Sequence, residues 1–346
     1  MGAPSKPAAS IRRMLTQVAR SKGETPEALF QRYARERLLF RLSRSDHADR
    51  FVLKGASLFY VWASEPHRPT KDIDLLGLGH LDTEMVADVF RTVCGIDGQQ
   101  DGLDFDPGSV SAKEIREGTE YGGLRVGLWG TLTKARLRVQ IDIGLGDAVV
   151  PPAQSIDYPT LLPELGLRPF RLRAYPKEAV VAEKAETIVK LGALNSRMKD
   201  YHDLNELSRS FSFKGSVLST ALAATFARRC TEIPEALPTG LSDVFAEDAT
   251  KRSQWEAFLR RMDLPQRDLG EIMRATRDFL WPPLQAAAAG EEFIGVWTPG
   301  GPWGQPSDAQ PTPSGPPSPP RSAARSRALE LGAKPGRRSR QRQPLL

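Results

Sequence analysis

The stretch ARLRVQIDIG, residues 135–144, alternates without a break. Ala135, Leu137, Val139, Ile141 and Ile143 fall on one side of an extended chain, and Arg136, Arg138, Gln140 and Asp142 fall on the other. Successive side chains of a strand point to opposite faces, so this period of two predicts a β-strand that buries its aliphatic face and presents Asp142 beside two arginines. A slip of one residue would turn the whole aliphatic set outwards, so the pattern constrains register as well as element type.

A second acidic strand precedes it. In DIDLLGL, residues 72–78, Asp72 and Asp74 project to one side, ~7 Å apart along the chain, with Ile73 and Leu75 on the opposite face. Like charges at that spacing repel, and a cation relieves the conflict. Oxygen-only ligation suits Mg2+, which takes one or two carboxylates together with substrate phosphates and water. Alone, such a pair is as readily a solvated strand edge, and Asp142 alone is as readily an arginine's partner within its sheet. Together the three match the need of a two-metal phosphoryl-transfer site for shared and separate carboxylates. Upstream, LKGAS places Gly55 between a strand and a helix-like run. Glycine admits a positive φ, and free N–H groups at a helix start attract anions, so Gly55 and the Ser57 hydroxyl are candidate phosphate contacts.

Two helices are expected over 10–45, with Ser10 capping the first and Thr25 capping the second ahead of Pro26. Further strands are expected at RFVLK, LRVGLWGTL and FRLRAY, with a helix over 82–94; past Pro176 the pattern is helical to about Ala289. The fold class is therefore α+β, a mixed sheet core with helices packed on it, followed by a helical C-terminal domain. The expected divisions are N-terminal helices at 1–49, the core at 50–175, a helical domain completing the site at 176–297, and a disordered tail at 298–346. That tail holds eleven prolines and little aliphatic pattern, too little apolar surface to offset its ordering entropy. Its PSGPPSPPR reads as solvated linker or as a polyproline ligand.

Charge belongs largely to the same tail. The chain carries 48 Lys and Arg against 42 Asp and Glu, a formal +6; residues 321–346 contribute eight basic residues and one acid, which leaves 40 against 41, or −1, for the rest. A globally basic binding face is thereby not indicated, although local patches are compatible with this balance. No run of eighteen apolar residues occurs, so no membrane span is expected. The opening MGAPSKPAAS lacks the order of a signal peptide, and Cys94 and Cys230 form no disulfide framework, so a cytoplasmic protein is expected. The four histidines have no zinc-ligand spacing.

The helix EAVVAEKAETIVKL contains a lysine on its apolar side. At about 100° per residue, Lys184 falls inside the arc of Val180, Val181, Ala185, Ile188 and Leu191. It needs an anionic partner, or else a route by which its ammonium reaches water at the core's edge. In SRMKDYHDLNEL, Arg197 and Asp200 lie within the apolar arc and Asp203 on its border, while Lys199, His202 and Glu206 are expected to face away. Arg197 and Asp200, three apart, are suitably spaced to pair with each other.

In that order, Gly-Ala-Ser, RPTKDID, IDIGLGD and EK…NSRMKDYHDL resemble the AbiEii/AbiGii nucleotidyltransferase toxins of type IV toxin–antitoxin systems, within the DNA polymerase beta-like nucleotidyltransferase superfamily. The likeness spans roughly residues 50–210 and implies a nucleotidyltransferase-type core. It implies that Gly55 and Ser57, with Arg68 and Thr70, hold a nucleoside triphosphate. Asp72 and Asp74 would carry Mg2+, Asp142 would complete the acidic set, and Lys184 would contact the triphosphate. Arg197, Asp200 and Asp203 would close the site, Asp203 counting with Asp72, Asp74, Asp142 and Lys184 as catalytic. Two departures stand out. Seventeen residues separate Gly55 from Asp72, more than is usual in the superfamily, and Ala56 stands where many relatives have glycine.

The resulting expectation is transfer of NMP from NTP to an acceptor, with the tRNA 3′ end suggested by the resemblance, and a cognate antitoxin as partner. A small molecule or a protein side chain would serve the same chemistry. Arg136, Arg138, Arg171 and Arg173 lean towards RNA. A non-catalytic nucleotide-binding or partner-binding protein of the same fold is the rival from another class, opposed by the intact Asp72, Asp74, Asp142 and Lys184.

Overall fold

The computed structural model describes residues 6–63, 68–98, 100–115 and 122–306. Helix α1 (Lys6–Lys22) is followed, after a break at Gly23 with positive φ, by α2 (Pro26–Ser43). Thr25 caps α2, its side chain accepting the Ala28 N–H, and Pro26 opens the first turn. Ser10 caps nothing, because α1 begins at Lys6 and carries Ser10 in its interior. Helix α2 is buried nearly all round and still points Arg37 and Arg41 inward. Asp101 neutralises both, at 2.9 Å and 2.7 Å.

The strands follow as β1 (Phe51–Lys54), β2 (Ile73–Gly77), β3 (Leu103–Ile115), β4 (Gly123–Leu132), β5 (Ala135–Leu145), β6 (Gln154–Tyr158) and β7 (Phe170–Ala174). The short helix α3 (Phe59–Trp62) follows β1, and α4 (Thr83–Cys94), capped by Asp82, follows β2. All seven strands join one sheet in the order β3-β4-β5-β2-β1-β7-β6. The pairs β2–β5 and β1–β7 are parallel and the others antiparallel. The aliphatic face of β5 is buried as its period predicts, Val139, Ile141 and Ile143 completely, and α2 packs against it. Strands β3 and β6 were not expected. Pro107-Gly108 reads as a turn, but the long edge strand absorbs it as an irregularity, its pairing to β4 shifting between Asp106 and Ser111.

The second half is helical: α5 (Lys177–Leu191), α6 (Met198–Ser210), α7 (Gly215–Arg228), α8 (Asp243–Glu247), α9 (Ala249–Met262) and α10 (Leu269–Ala289). Three short strands, β8 (Phe213–Lys214), β9 (Val296–Trp297) and β10 (Trp303–Gly304), form a small second sheet. The expected boundary at 175/176 is a change of secondary structure inside one unit, Met1–Ala309. Ion pairs from Lys54 to Glu183 cross it. Residues 298–306, assigned to the tail on composition, are instead packed. Trp303 pairs with Trp297, stacks on Phe279 and donates its indole N–H to the Phe279 carbonyl at 3.0 Å. Two indoles supply the apolar area that a proline count overlooks. The rest of the tail, with its expected disorder and PSGPPSPPR, lies outside the described residues. Among the described residues no helix is long and apolar enough to cross a membrane.

Candidate active site

Register assembles the first half of the site. Lys54 of β1 pairs with Asp74 of β2, Asp74 with Asp142 of β5, and Asp142 with Arg125 of β4. Directly paired residues share a face, so the four charges form a row across ~14 Å of sheet; Asp72 lies in a bend just before β2, close enough to Asp142 for that charge to raise its carboxyl. Of the three aspartates singled out by their period of two, register puts Asp74 and Asp142 on one face, whereas Asp72 precedes the strand and does not line the cleft described below.

Gly55, at the end of β1, has φ +69°, and a Cβ there would meet the Asp74 Oδ2 at 2.0 Å. The aspartate carboxylate packs directly on this backbone, so glycine is required twice over, for conformation and for space. Gly55→Ala is expected to cost about 2 kcal/mol and to push Asp74 out of line with Asp142. A lowered melting temperature together with lost metal-dependent nucleotide binding would show it; an unchanged variant would refute it. Gly55 and Ala56 line the cleft described below, whereas Ser57 is buried and does not. Thr70 donates its hydroxyl to the Asp72 carbonyl at 3.3 Å, tying down the approach to β2.

Burial pushes the Asp74 carboxyl up to about 6, against the pull of Lys199 and Lys54 and helped by Asp142 and Asp72. Burial, then the Asp142 charge, also raises Asp72. Asp142 differs in having a resident cation: Arg125 donates to both its oxygens, at 2.7 Å each.

The second half comes from α5 and α6. Lys184 reaches Asp200 at 2.7 Å and Asp203 at 2.8 Å. Arg68 grips Asp203 with two hydrogen bonds, at 2.6 Å and 2.7 Å, and Arg197 Nε holds Asp200 at 2.7 Å. Three cations thus enclose two buried carboxylates. Burial alone would raise both acids, but Lys184 outweighs it, with Arg197 at Asp200 and Arg68 at Asp203, and both are held low, Asp203 well below the usual range. This network explains a lysine on an apolar arc and changes two expectations. Lys184 lines the cleft with its ammonium already taken by two acids. Asp203, expected among the catalytic groups, is fully buried and does not line the cleft; it orients Arg68 and Lys184.

Between the halves lies a cleft of about 560 Å³, lined among others by Asp74, Asp142, Arg68, Lys184, Arg197 and Lys199. Lys199, expected to face away from the apolar arc, does so: it sits in the first turn of α6, exposed on the cleft, and no carboxylate among the described residues pairs with it. Partial desolvation, then the Arg197 charge, lowers its pKa. His202, expected on the same outer side, is instead buried against Trp255 and Phe258, because α6 is packed on more than one side. A further network escaped the sequence: Lys54 joins Asp147 at 2.8 Å and Glu183 at 3.0 Å, and Arg229 joins Asp147 at 3.1 Å and Glu186 at 2.9 Å. Its signal was present in Asp147 of IDIGLGD and in Glu183 beside Lys184.

As the side chains stand, no three His, Cys, Asp or Glu groups among the described residues converge to hold a metal ion. The donor set nevertheless fits a hard divalent cation. Asp74 and Asp142 are neighbours across parallel strands, and such an ion needs only one or two protein carboxylates when phosphates complete its shell.

A protein family described as "Nucleotidyl transferase AbiEii toxin, Type IV TA system" matches residues 37–289. No curated protein sequence matches the chain. Among solved structures, MenT4, a nucleotidyltransferase toxin from Mycobacterium tuberculosis H37Rv, superposes with a TM-score of 0.50 at 16% identity, covering 82% of this chain and 99% of that one. JHP933 from Helicobacter pylori gives a TM-score of 0.42 at 14% identity, covering 76% of this chain and 90% of that one.

Proposed function

The chain belongs to the AbiEii family of nucleotidyltransferase toxins of type IV toxin–antitoxin systems, and from that premise we propose that it transfers NMP from an NTP to the 3′ end of an RNA, tRNA being the leading acceptor, with Mg2+ as the metal. The observation that carries this reading is the pairing of Asp74 with Asp142 on the sheet face that floors a cation-lined cleft. The acceptor's 3′-oxygen bonds to the α-phosphorus as the bond to the bridging oxygen of pyrophosphate breaks. The hydroxyl proton leaves through the carboxylate set to solvent.

Divalent metal, when bound, supplies Lewis-acid charge between phosphates and carboxylates. Asp74 and Asp142 would hold it, with Asp72 nearby; Arg125 takes one lone pair on each Asp142 oxygen, so the metal would use a remaining one or displace the guanidinium. The triphosphate lies against the cations of the helical half. Lys199 is its direct ammonium contact and Arg197 the guanidinium at the rim, while Lys184 and Arg68 hold the wall in place and add charge. A cytoplasmic site of action and a cognate antitoxin complete the proposal.

Labelled NTP, Mg2+ and bulk tRNA test it together: label is expected in tRNA and lost on chelation. Metal-dependent label appearing only on protein or a small molecule would overturn the acceptor, and no transfer to anything would overturn the whole assignment. Lys199→Ala is expected to raise KM for NTP by about tenfold, the worth of one charge-assisted hydrogen bond, with a smaller change in kcat. Lys199→Arg should retain most of the affinity. Equal KM for wild type and Lys199→Ala would remove Lys199 from the site.

A further inference from the structure

Beyond Asp142 the same face of the sheet continues with side chains that no described residue buries fully. On β4 the side chains that follow Arg125 on this face are Gly127, Trp129 and Thr131; on β5, running back from Asp142, they are Gln140, Arg138 and Arg136. Register places Gly127 opposite Gln140, Trp129 opposite Arg138 and Thr131 opposite Arg136. Thr131, Arg136 and Arg138 are exposed, and Trp129 and Gln140 are half-buried. The intervening Val126, Leu128, Leu137 and Val139 are buried on the opposite face. The Arg136 guanidinium lies 4.5 Å from the centre of the Trp129 ring. A strip two strands wide and ~20 Å long thus carries two uncovered arginines and an accessible indole, and Asp142 at its inner end is its one acid. Asp104 and Asp106 on β3, opposite Thr131 and Trp129, bound it on the outer side.

Location gives the strip a direction. Helices α5 and α6 face the Lys54–Asp74 side of the charged row, where the cleft accommodates the nucleotide. In-line displacement needs the attacking and departing oxygens on opposite sides of the phosphorus. With the nucleotide in the cleft, β4 and β5 offer an approach to Asp142 lined by exposed and half-buried described residues. Alternating cations and an aromatic face suit a single strand, whose phosphates pair with arginine and whose bases stack on indole in any sequence. Arg171 and Arg173, grouped with these arginines by composition, lie instead on β7, beyond β2 and β1, with Arg171 3.5 Å from Asp157.

We propose that this strip is the track on which the single-stranded 3′ end of an RNA acceptor lies, with Arg136 and Arg138 on its phosphates and Trp129 stacked on a base. It rests on the transfer reading above and adds where the acceptor binds. The test is fluorescence anisotropy of the full chain with a labelled single-stranded RNA ending in a 3′-deoxynucleotide, over a range of salt. Arg136→Glu with Arg138→Glu is expected to weaken binding at least tenfold and to flatten the logarithmic salt dependence by about 1.4, ~0.7 per phosphate contact. Trp129→Ala should weaken it about tenfold, and Trp129→Phe, which keeps a stacking face, by less. Arg171→Glu with Arg173→Glu should leave affinity within about twofold, since only contacts on the strip set the salt slope. Metal-dependent NTP binding, followed by calorimetry, should be unchanged in all of these variants and certifies their fold. RNA binding unaffected by the strip variants, equal loss in the β7 pair, or no salt-dependent RNA binding by the wild type would overturn the track. RNA held on the strip without any nucleotide transfer would instead overturn the catalytic reading and leave the track standing.

Discussion

Asp74→Asn is expected to reduce nucleotidyl transfer by about a thousandfold, the upper range for one preorganised charged group, and at the same time to make the protein more stable at neutral pH. The two effects share a cause. Asp74 is packed on Gly55 and faces Asp142, and burial lifts its carboxyl from the usual range to about 6. Its ionised form is therefore disfavoured in the folded chain. Folding stability declines as pH rises from the unfolded value near 4 through about 6, and above that the penalty is constant. Asparagine removes it, a gain of about 1–3 kcal/mol at pH 7 and none below about pH 4. Melting curves at the two pH values, beside a transfer assay, check both halves. A variant inactive but no more stable at neutral pH would show that burial does not disfavour the ionised Asp74. The same linkage predicts that divalent-cation affinity weakens as pH falls below about 6, because the ion must displace a proton.

Asp203→Ala should produce the largest loss of stability, about 3–5 kcal/mol, or roughly 10 °C in melting temperature for a chain of this size. The carboxylate is fully buried, clasped twice by Arg68 and once by Lys184, and its removal leaves two cations facing each other beside Asp200 alone. The sign with pH is opposite to that of Asp74. Lys184 and Arg68 overcome burial and hold Asp203 well below the ordinary value, so its contribution is present above about pH 4 and is lost as pH falls towards the folded value. Wild type and Asp203→Ala should therefore converge in stability under acid. A difference that did not shrink between pH 4 and pH 2 would mean that packing rather than charge holds the cluster. Activity should fall as well, through misplacement of Arg68 and Lys184 and not through loss of a group that touches substrate.

Much of the site's sheet half was legible because β structure has a period of two. The run 135–144 and the DID of 72–74 dictate which side chains share a face, and register pairs Asp74 with Asp142 accordingly, while Asp72 falls just outside the strand. The helical half was read only in part. Helical periodicity detected that Lys184 was out of place, but it assumes one buried face and one wet face. Helix α6 is enclosed on more than one side, so the same geometry placed Lys199 correctly in the open but misdirected His202. Strand β3 was hidden behind Pro-Gly, and Trp303 behind the prolines around it.

By itself the sequence determined the strand faces, the capped start of α2 and the glycine that precedes the acidic strand, since each follows from neighbours a few residues away. Only the tertiary structure decided which charges are free. Lys184, Arg68, Asp200 and Asp203 cancel one another, Arg125 is engaged with Asp142, and Lys199 is left in the cleft without a carboxylate. A charge is neutralised by whatever lies within a few ångströms, and these partners, up to 135 residues apart along the chain, are brought to that distance by packing alone.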